Sequence, residues 1–345
     1  MPLVARNRGS SDARFPDSEK SPGVLEFREL EKSYGSTHAL DSMSFVVPPG
    51  EVFGFLGPNG AGKTTAMRAI FSLVELESGS VVYNGNTLVR GDLAHFGYMP
   101  EERGLYPKMT VLEHLIYLGR LHEISKSQAL GRARELIERL EIVGGGSAKI
   151  EALSLGNRQR TQIAAALIHQ PDVLVLDEPF SGLDPLSVEV VREILSDYAS
   201  RGRTVLFSSH QLELVEDFCQ SVAIANHGHI VLSGSVAEIT STATILTVAV
   251  REDPRGDYLS SLAGLRRLDN GSAGQRVQVA DDAQAQLVLQ AAIGAGHVER
   301  FTFERRRLSE VFIEAVQGDN ARSKVAGVAP HHEGRLGAVG TEGGE

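Results

Sequence analysis

The stretch Gly57-Pro58-Asn59-Gly60-Ala61-Gly62-Lys63-Thr64 constrains this chain more than any other, because it reads G-x-x-x-x-G-K-T between a short apolar run at 52–56 and good helix formers at 64–71. Strand, glycine loop and helix in that order predict a phosphate cradle. Glycines at 57, 60 and 62 let the backbone turn its N–H groups inward, where they and the helix N-terminus attract anionic oxygen. Lys63 brings a point charge to the β- and γ-phosphates of a nucleotide, and Thr64 offers a hydroxyl to Mg²⁺. A glycine-rich turn that merely precedes a lysine is the plain alternative, and the flanking strand and helix argue against it.

A second apolar run, 173–176, ends in Asp177-Glu178. Such a run suits a strand covered on both faces, with its carboxyl end where ligands sit in open α/β sheets. Asp177 there can hold Mg²⁺ through a water, and Glu178 can polarise an attacking water. A third buried strand, 204–209, delivers His210 to the same end, where an imidazole can hydrogen-bond a γ-phosphate; a histidine that only starts a helix is the other reading. Tyr34, upstream of the cradle, can stack an adenine face or pack on its own sheet.

The rest of the chain supplies a frame for these groups. Residues 24–34 and 40–47 alternate as half-exposed antiparallel strands, and 110–121, 127–140 and 157–169 space apolar residues as helices, with Thr110 and Glu113 forming a capping box. The prediction is a mostly parallel sheet with an antiparallel β edge and a helical subdomain at about 108–171, within a nucleotide domain spanning 23–240. Past 241 the order β-α-β-β-α-β predicts a small ferredoxin-like α+β unit to 317. Residues 1–22 and 318–345 read as a disordered extension and tail. No run of about 18 apolar residues exists to span a bilayer. Net charge is -10, which argues against a broad nucleic-acid footprint. The one cysteine, Cys219, excludes an intrachain disulfide and reads as a small buried hydrophobe.

In sequence the chain resembles the ATP-binding subunits of ABC transporters, from about residue 24 to 239. The carriers are GPNGAGKTT at 57–65, which adds Thr65; Leu153-Ser154-Leu155-Gly156-Asn157, similar to the LSGGQ signature; Asp177-Glu178-Pro179; Ser181-Gly182-Leu183-Asp184, similar to the D-loop; and His210, similar to the switch histidine. The resemblance implies a P-loop ATPase that binds ATP and Mg²⁺. It implies that Ser154 and Gly156 of one chain, opening a helix at Asn157, close onto the γ-phosphate held by another, and that Asp184 of the D-loop is among the nucleotide-binding residues. It also implies that Glu178 and His210 serve hydrolysis, that Thr64 and Asp177 hold the metal, and that the partners are a second ATP-binding subunit, a copy of this chain, and separate transmembrane permease subunits.

Two departures from the pattern stand out. Leu155 and Asn157 replace the first glycine and the glutamine of the signature, and Glu101 stands where the Q-loop has glutamine, so a third carboxylate is expected near the metal. The version Pro-Glu-Glu-Arg-Gly-Leu-Tyr-Pro at 100–107 resembles the branch serving ABC-2-type exporters, including sodium and drug exporters. This points to a peripheral subunit on the cytoplasmic face of the cell membrane. The competing class is a soluble ABC ATPase acting on ribosomes or DNA; such proteins usually carry two cassettes or a long coiled coil, and this chain has neither.

Overall fold

The computed structural model describes residues 23–325, apart from 103, 242–243, 254, 263 and 269–273. The expected extension 1–22 and the part of the expected tail beyond 325 lie outside the described residues.

Five parallel strands and one antiparallel edge strand form the central sheet, in the order His229–Ser235, Ser221–Asn226, Val52–Leu56, Thr204–Ser209, Val173–Leu176, Phe96–Met99. The strand leading into the cradle is buried at every residue because both faces of the sheet are covered. Its alternation assigns the faces: Val52 and Leu56 join the cluster beneath the helices, while Phe53 and Phe55 meet Phe27 and Phe45 of a second sheet. That second sheet is antiparallel and four-stranded, in the order Thr37–Val47, Leu25–Tyr34, Ser78–Tyr83, Asn86–Thr87. The antiparallel part is therefore a layer of its own as well as an edge strand.

Three helices lie between the strands Phe96–Met99 and Val173–Leu176: Val111–Leu121, Lys126–Arg139 and Leu155–Leu167. The first opens on the Thr110–Glu113 capping box and the second on an equivalent box between Ser125 and Gln128, so each has its first orphan N–H groups satisfied by side chains. Residues past 243 form a third, all-antiparallel sheet in the order Arg266–Arg267, Gln275–Val279, Thr244–Val250, Val298–Arg305, the ferredoxin-like order. Its first helix is only a 3-10 turn, Asp257–Ser261, since the short Ser-rich segment has weak helix propensity.

The final helix, Leu308–Val325, runs past Gly318, where the sequence reading begins the tail. Tertiary bonds account for the extra turns. Asp319 takes hydrogen bonds from Asn226 Nδ2 at 2.8 Å and pairs with His229 Nε2 at 2.9 Å, while Asn320 bonds His227 Nε2 at 2.9 Å. Leu308 and Val311 pack into the core beneath the nucleotide sheet, so this helix belongs as much to that core as to the third sheet. The hairpin gripped by Asp319 and Asn320 in turn presents the Gly228 carbonyl to the Asp41 N–H at 2.9 Å. Cys219 is buried, and burial pushes its thiol pKa well up, as a structural hydrophobe requires.

Candidate active site

The cradle is shaped by backbone that only glycine accepts. Gly62 has φ 96°, and a Cβ there would lie 2.3 Å from the Ala39 carbonyl oxygen. Gly57 is pressed as closely, 2.4 Å from the Ala225 carbonyl oxygen. From this turn the helix Lys63–Ile70 starts, so its free N–H groups face the loop. Lys63 is buried and its Nζ bonds the carbonyls of Gly57 at 2.7 Å and Pro58 at 3.1 Å. Desolvation lowers the Lys63 pKa, opposed by Glu178, Asp177 and Glu101.

A cleft of about 410 Å³ lies above the loop. It is lined by Asn59, Gly60, Ala61, Gly62, Lys63, Thr64 and Thr65, together with Tyr34, Glu101, Asp177 and Glu178 from three other places in the chain. Tyr34 is 53% exposed at its strand end, with Lys32 Nζ 5.5 Å from the ring centroid, so it stands at the cleft rather than packing flat on its sheet. Thr37 and Ala39 also line the cleft and were not singled out from sequence. Neither residue type carries a chemical signal of its own, and their place beside the cradle depends on how the strand Thr37–Val47 is laid in the fold.

At the sheet's carboxyl end the two acids occupy different environments. Asp177 is 1% exposed; its Oδ1 accepts from Ser208 Oγ at 2.5 Å, whereas its Oδ2 has no hydrogen-bond partner. A buried carboxylate oxygen left unpartnered is costly unless a cation meets it. Among the described residues no group of three His, Cys, Asp or Glu side chains could hold a metal unaided. Thr64, Asp177 and Glu101 line the same cleft, so their oxygens fit a hard cation whose shell phosphate oxygens would complete.

Glu178 sits in left-handed backbone, φ 52°, an uncommon conformation for a residue with a side chain. Its N–H donates to Ser208 Oγ at 2.9 Å and its carbonyl accepts from Gln159 Nε2 at 2.8 Å. Burial raises its carboxyl pKa, opposed by the hydrogen bond from His210, whose Nδ1 lies 3.0 Å from Oε2. His210 follows its strand directly, stands just before Gln211, the N-cap of the next helix, and does not itself line the cleft.

Ser154, Gly156 and Asp184 do not line this cleft. Ser154 is the exposed N-cap of the helix Leu155–Leu167, accepting from the Asn157 N–H at 3.3 Å, so the helix opens two residues before the expected Asn157. Asn157 turns inward instead, where its Oδ1 accepts from the Val143 N–H at 2.8 Å and Arg160 Nη2 at 3.1 Å. Asp184 caps the helix Pro185–Ser200, bonding the Ser187 N–H at 3.0 Å and its hydroxyl at 2.9 Å, which holds the Asp184 carboxyl pKa down.

The ABC transporter family matches residues 40–181. An ABC transporter ATP-binding protein of Bacillus subtilis (strain 168), YhaQ, is 36% identical over 293 residues, covering 85% of this chain and 98% of the relative. The chain belongs to the ABC transporter ATP-binding proteins. This family member is also 34% identical to the linearmycin resistance ATP-binding protein of B. subtilis, over 63% of this chain and 71% of that relative. It is 34% identical to Nod factor export ATP-binding protein I of Paraburkholderia xenovorans (strain LB400), over 64% of this chain and 73% of that relative. Among solved structures, an ATP-binding subunit of an ABC transporter superposes with TM-score 0.58 at 30% identity, covering 63% of this chain and 91% of that one. As an ABC ATPase the chain binds and hydrolyses ATP, and no described helix of it is long and apolar enough to cross a membrane.

Proposed function

We propose that two copies of this ABC ATPase close on two ATP molecules and use that closure to drive an ABC-2-type exporter from the cytoplasmic face of the membrane. The observation that carries it is the division of the phosphate-binding parts: the cradle and its acids share one cleft, while the Ser154-capped helix opens outside that cleft. A helix N-terminus with an exposed serine and a half-buried glycine can receive an anion, and this chain's own cradle does not bring one to it. A second chain supplies that ligand.

In this reading Gly57 to Thr65 and Lys63 hold the triphosphate, and Tyr34 stacks the base. Thr64 and Asp177, with Glu101 nearby, hold Mg²⁺, which when bound neutralises charge on the β- and γ-phosphates. Glu178 takes the proton of the attacking water, and its raised pKa suits a base that must also be ionised. His210 hydrogen-bonds Glu178 and orients it. Ser154 and Gly156 of the partner seal the γ-phosphate, and Asp184 lies at the junction.

Relatives named for linearmycin resistance, Nod factor export and lantibiotic transport support the exporter branch. An apolar groove of about 410 Å³ beside Pro100 and Leu105, also lined by Phe71, Tyr98 and Leu118, suits a helix from a membrane subunit. The test is co-purification of Glu178→Gln with ATP and Mg²⁺ from detergent-solubilised membranes. The expected result is an ATP-dependent dimer carrying membrane-spanning partners. A chain that remains single with ATP, or that instead forms a salt-dependent complex with ribosomes or DNA, overturns the proposal.

A further inference from the structure

The Ser154-capped helix reaches in two directions. Its first turn faces out, while Gln159, one turn further along and 6% exposed, points into the molecule and donates Nε2 to the Glu178 carbonyl at 2.8 Å. That carbonyl also accepts the Ser181 N–H at 3.2 Å, and the Glu178 N–H is held by Ser208 Oγ at 2.9 Å. The peptide groups on both sides of a left-handed glutamate are thus fixed, one by the neighbouring strand and one by this helix. A second tie lies beside the first. Leu155, standing where the family signature has glycine, covers Gly182, so closely that a Cβ at Gly182 would fall 2.6 Å from Leu155 Cδ2.

We propose that Gln159 is a positioning residue that couples the two ATP sites of the dimer. Through it, closure of the helix onto the partner's nucleotide sets the backbone, and hence the carboxylate, of the Glu178 that acts on the chain's own nucleotide. The inference rests on the reading that this helix seals the partner's γ-phosphate. A helix moves as a stiff unit, so a displacement at Ser154 and Gly156 is passed to Gln159 one turn away. The Glu178 peptide is in a conformation that survives only while its surroundings hold it, so a shift of those surroundings acts on it directly. Leu155 adds a contact that keeps Gly182 in step with the same turn. The arrangement connects two sites without any residue that touches both nucleotides.

The experiment compares the intact chain with Gln159→Met, which keeps length and shape but has no N–H to donate, and with Leu155→Ala, which removes the side chain that covers Gly182. Steady-state hydrolysis is measured against ATP concentration, with thermal unfolding alongside. The same changes are placed in the Glu178→Gln background and dimer formation with ATP is followed by size. For Gln159→Met we expect kcat to fall on the order of tenfold, the loss of one hydrogen bond to a strained peptide. KM should be nearly unchanged, the Hill coefficient should fall toward one, and the ATP-trapped dimer should still form. Leu155→Ala should lower the Hill coefficient with a smaller loss of kcat. Retained cooperativity in both variants with an intact trapped dimer overturns the coupling role while leaving the dimer reading standing. So does a loss of kcat that follows only from lowered thermal stability. A Glu178→Gln chain that never dimerises with ATP, its Gln159 untouched, marks failure of the dimer reading and removes this inference with it.

Discussion

The central sheet, of six strands, and the third sheet, of four, place their charged groups differently. In the third sheet and its final helix, charges are matched within the chain: Arg276 pairs with Glu304 at 3.4 Å and Glu310 at 2.7 Å, and Arg306 and Arg266 both pair with Glu314. At the carboxyl end of the central sheet, Asp177 keeps a bare buried oxygen, Glu178 keeps a left-handed backbone and a raised pKa, and Lys63 spends its protons on backbone carbonyls. Matched charges hold a shape, whereas unmatched ones wait for a ligand. The difference teaches where substitution should change chemistry and where it should change only stability.

The largest effect expected from the comparison is at Glu178. Glu178→Gln should lower kcat by about 10²–10⁴-fold, as loss of a general base does, while ATP binding measured by calorimetry persists. Hydrolysis at the parent rate would show that the base lies elsewhere. Lys63→Ala follows, with an expected loss of roughly 10²–10³-fold in kcat/KM and weakened nucleotide binding, because the triphosphate loses its main side-chain charge. Equal affinity for a labelled ATP analogue would contradict that role.

His210→Ala should lower turnover by about tenfold, within the range of a hydrogen bond to a charged group. Its pH signature is sharper. Glu178 must be ionised to act, burial raises its pKa, and His210 opposes that rise. The acidic limb of the rate profile should therefore lie above the ordinary carboxylate range, activity should be lost as pH falls through it, and His210→Ala should move that limb to higher pH. A limb that stays in place returns His210 to a role away from Glu178. Glu101→Gln should leave hydrolysis within a few-fold of the parent, since Asp177 and Thr64 remain as donors. A dead variant would show that the carboxylate itself is needed. Least of all, Arg276→Met should cost about 1 kcal/mol of stability, measured by denaturant unfolding, with kcat unchanged. A large change in kcat there would erase the contrast between the two sheets.

The parts legible in the sequence are those whose physics is local. The cradle was readable because glycine spacing and a flanking strand and helix fix its conformation over a few residues, and Asp177 and Glu178 because an apolar run ends on them. The Thr110 and Glu113 box was readable for the same reason. Ser208 and Gln159 were not, because their bonds to the acid pair span 31 and 19 positions and exist only once strands and helix are assembled. Nor was the length of the final helix, since its last turns are held by a hairpin some ninety positions earlier. Asn157 stood in a recognisable motif, yet its inward turn depends on Val143 and Arg160.

That distant grip has a practical meaning for anyone shortening the chain. Asp319 and Asn320 fasten the loop at His227 and Gly228, and that loop braces Asp41, two residues from the Ala39 carbonyl that crowds Gly62. A version cut before Asp319 would sever the last stitch of a seam running from the far end of the polypeptide to the floor of the nucleotide bed, and the floor would sag although no residue of it had been touched.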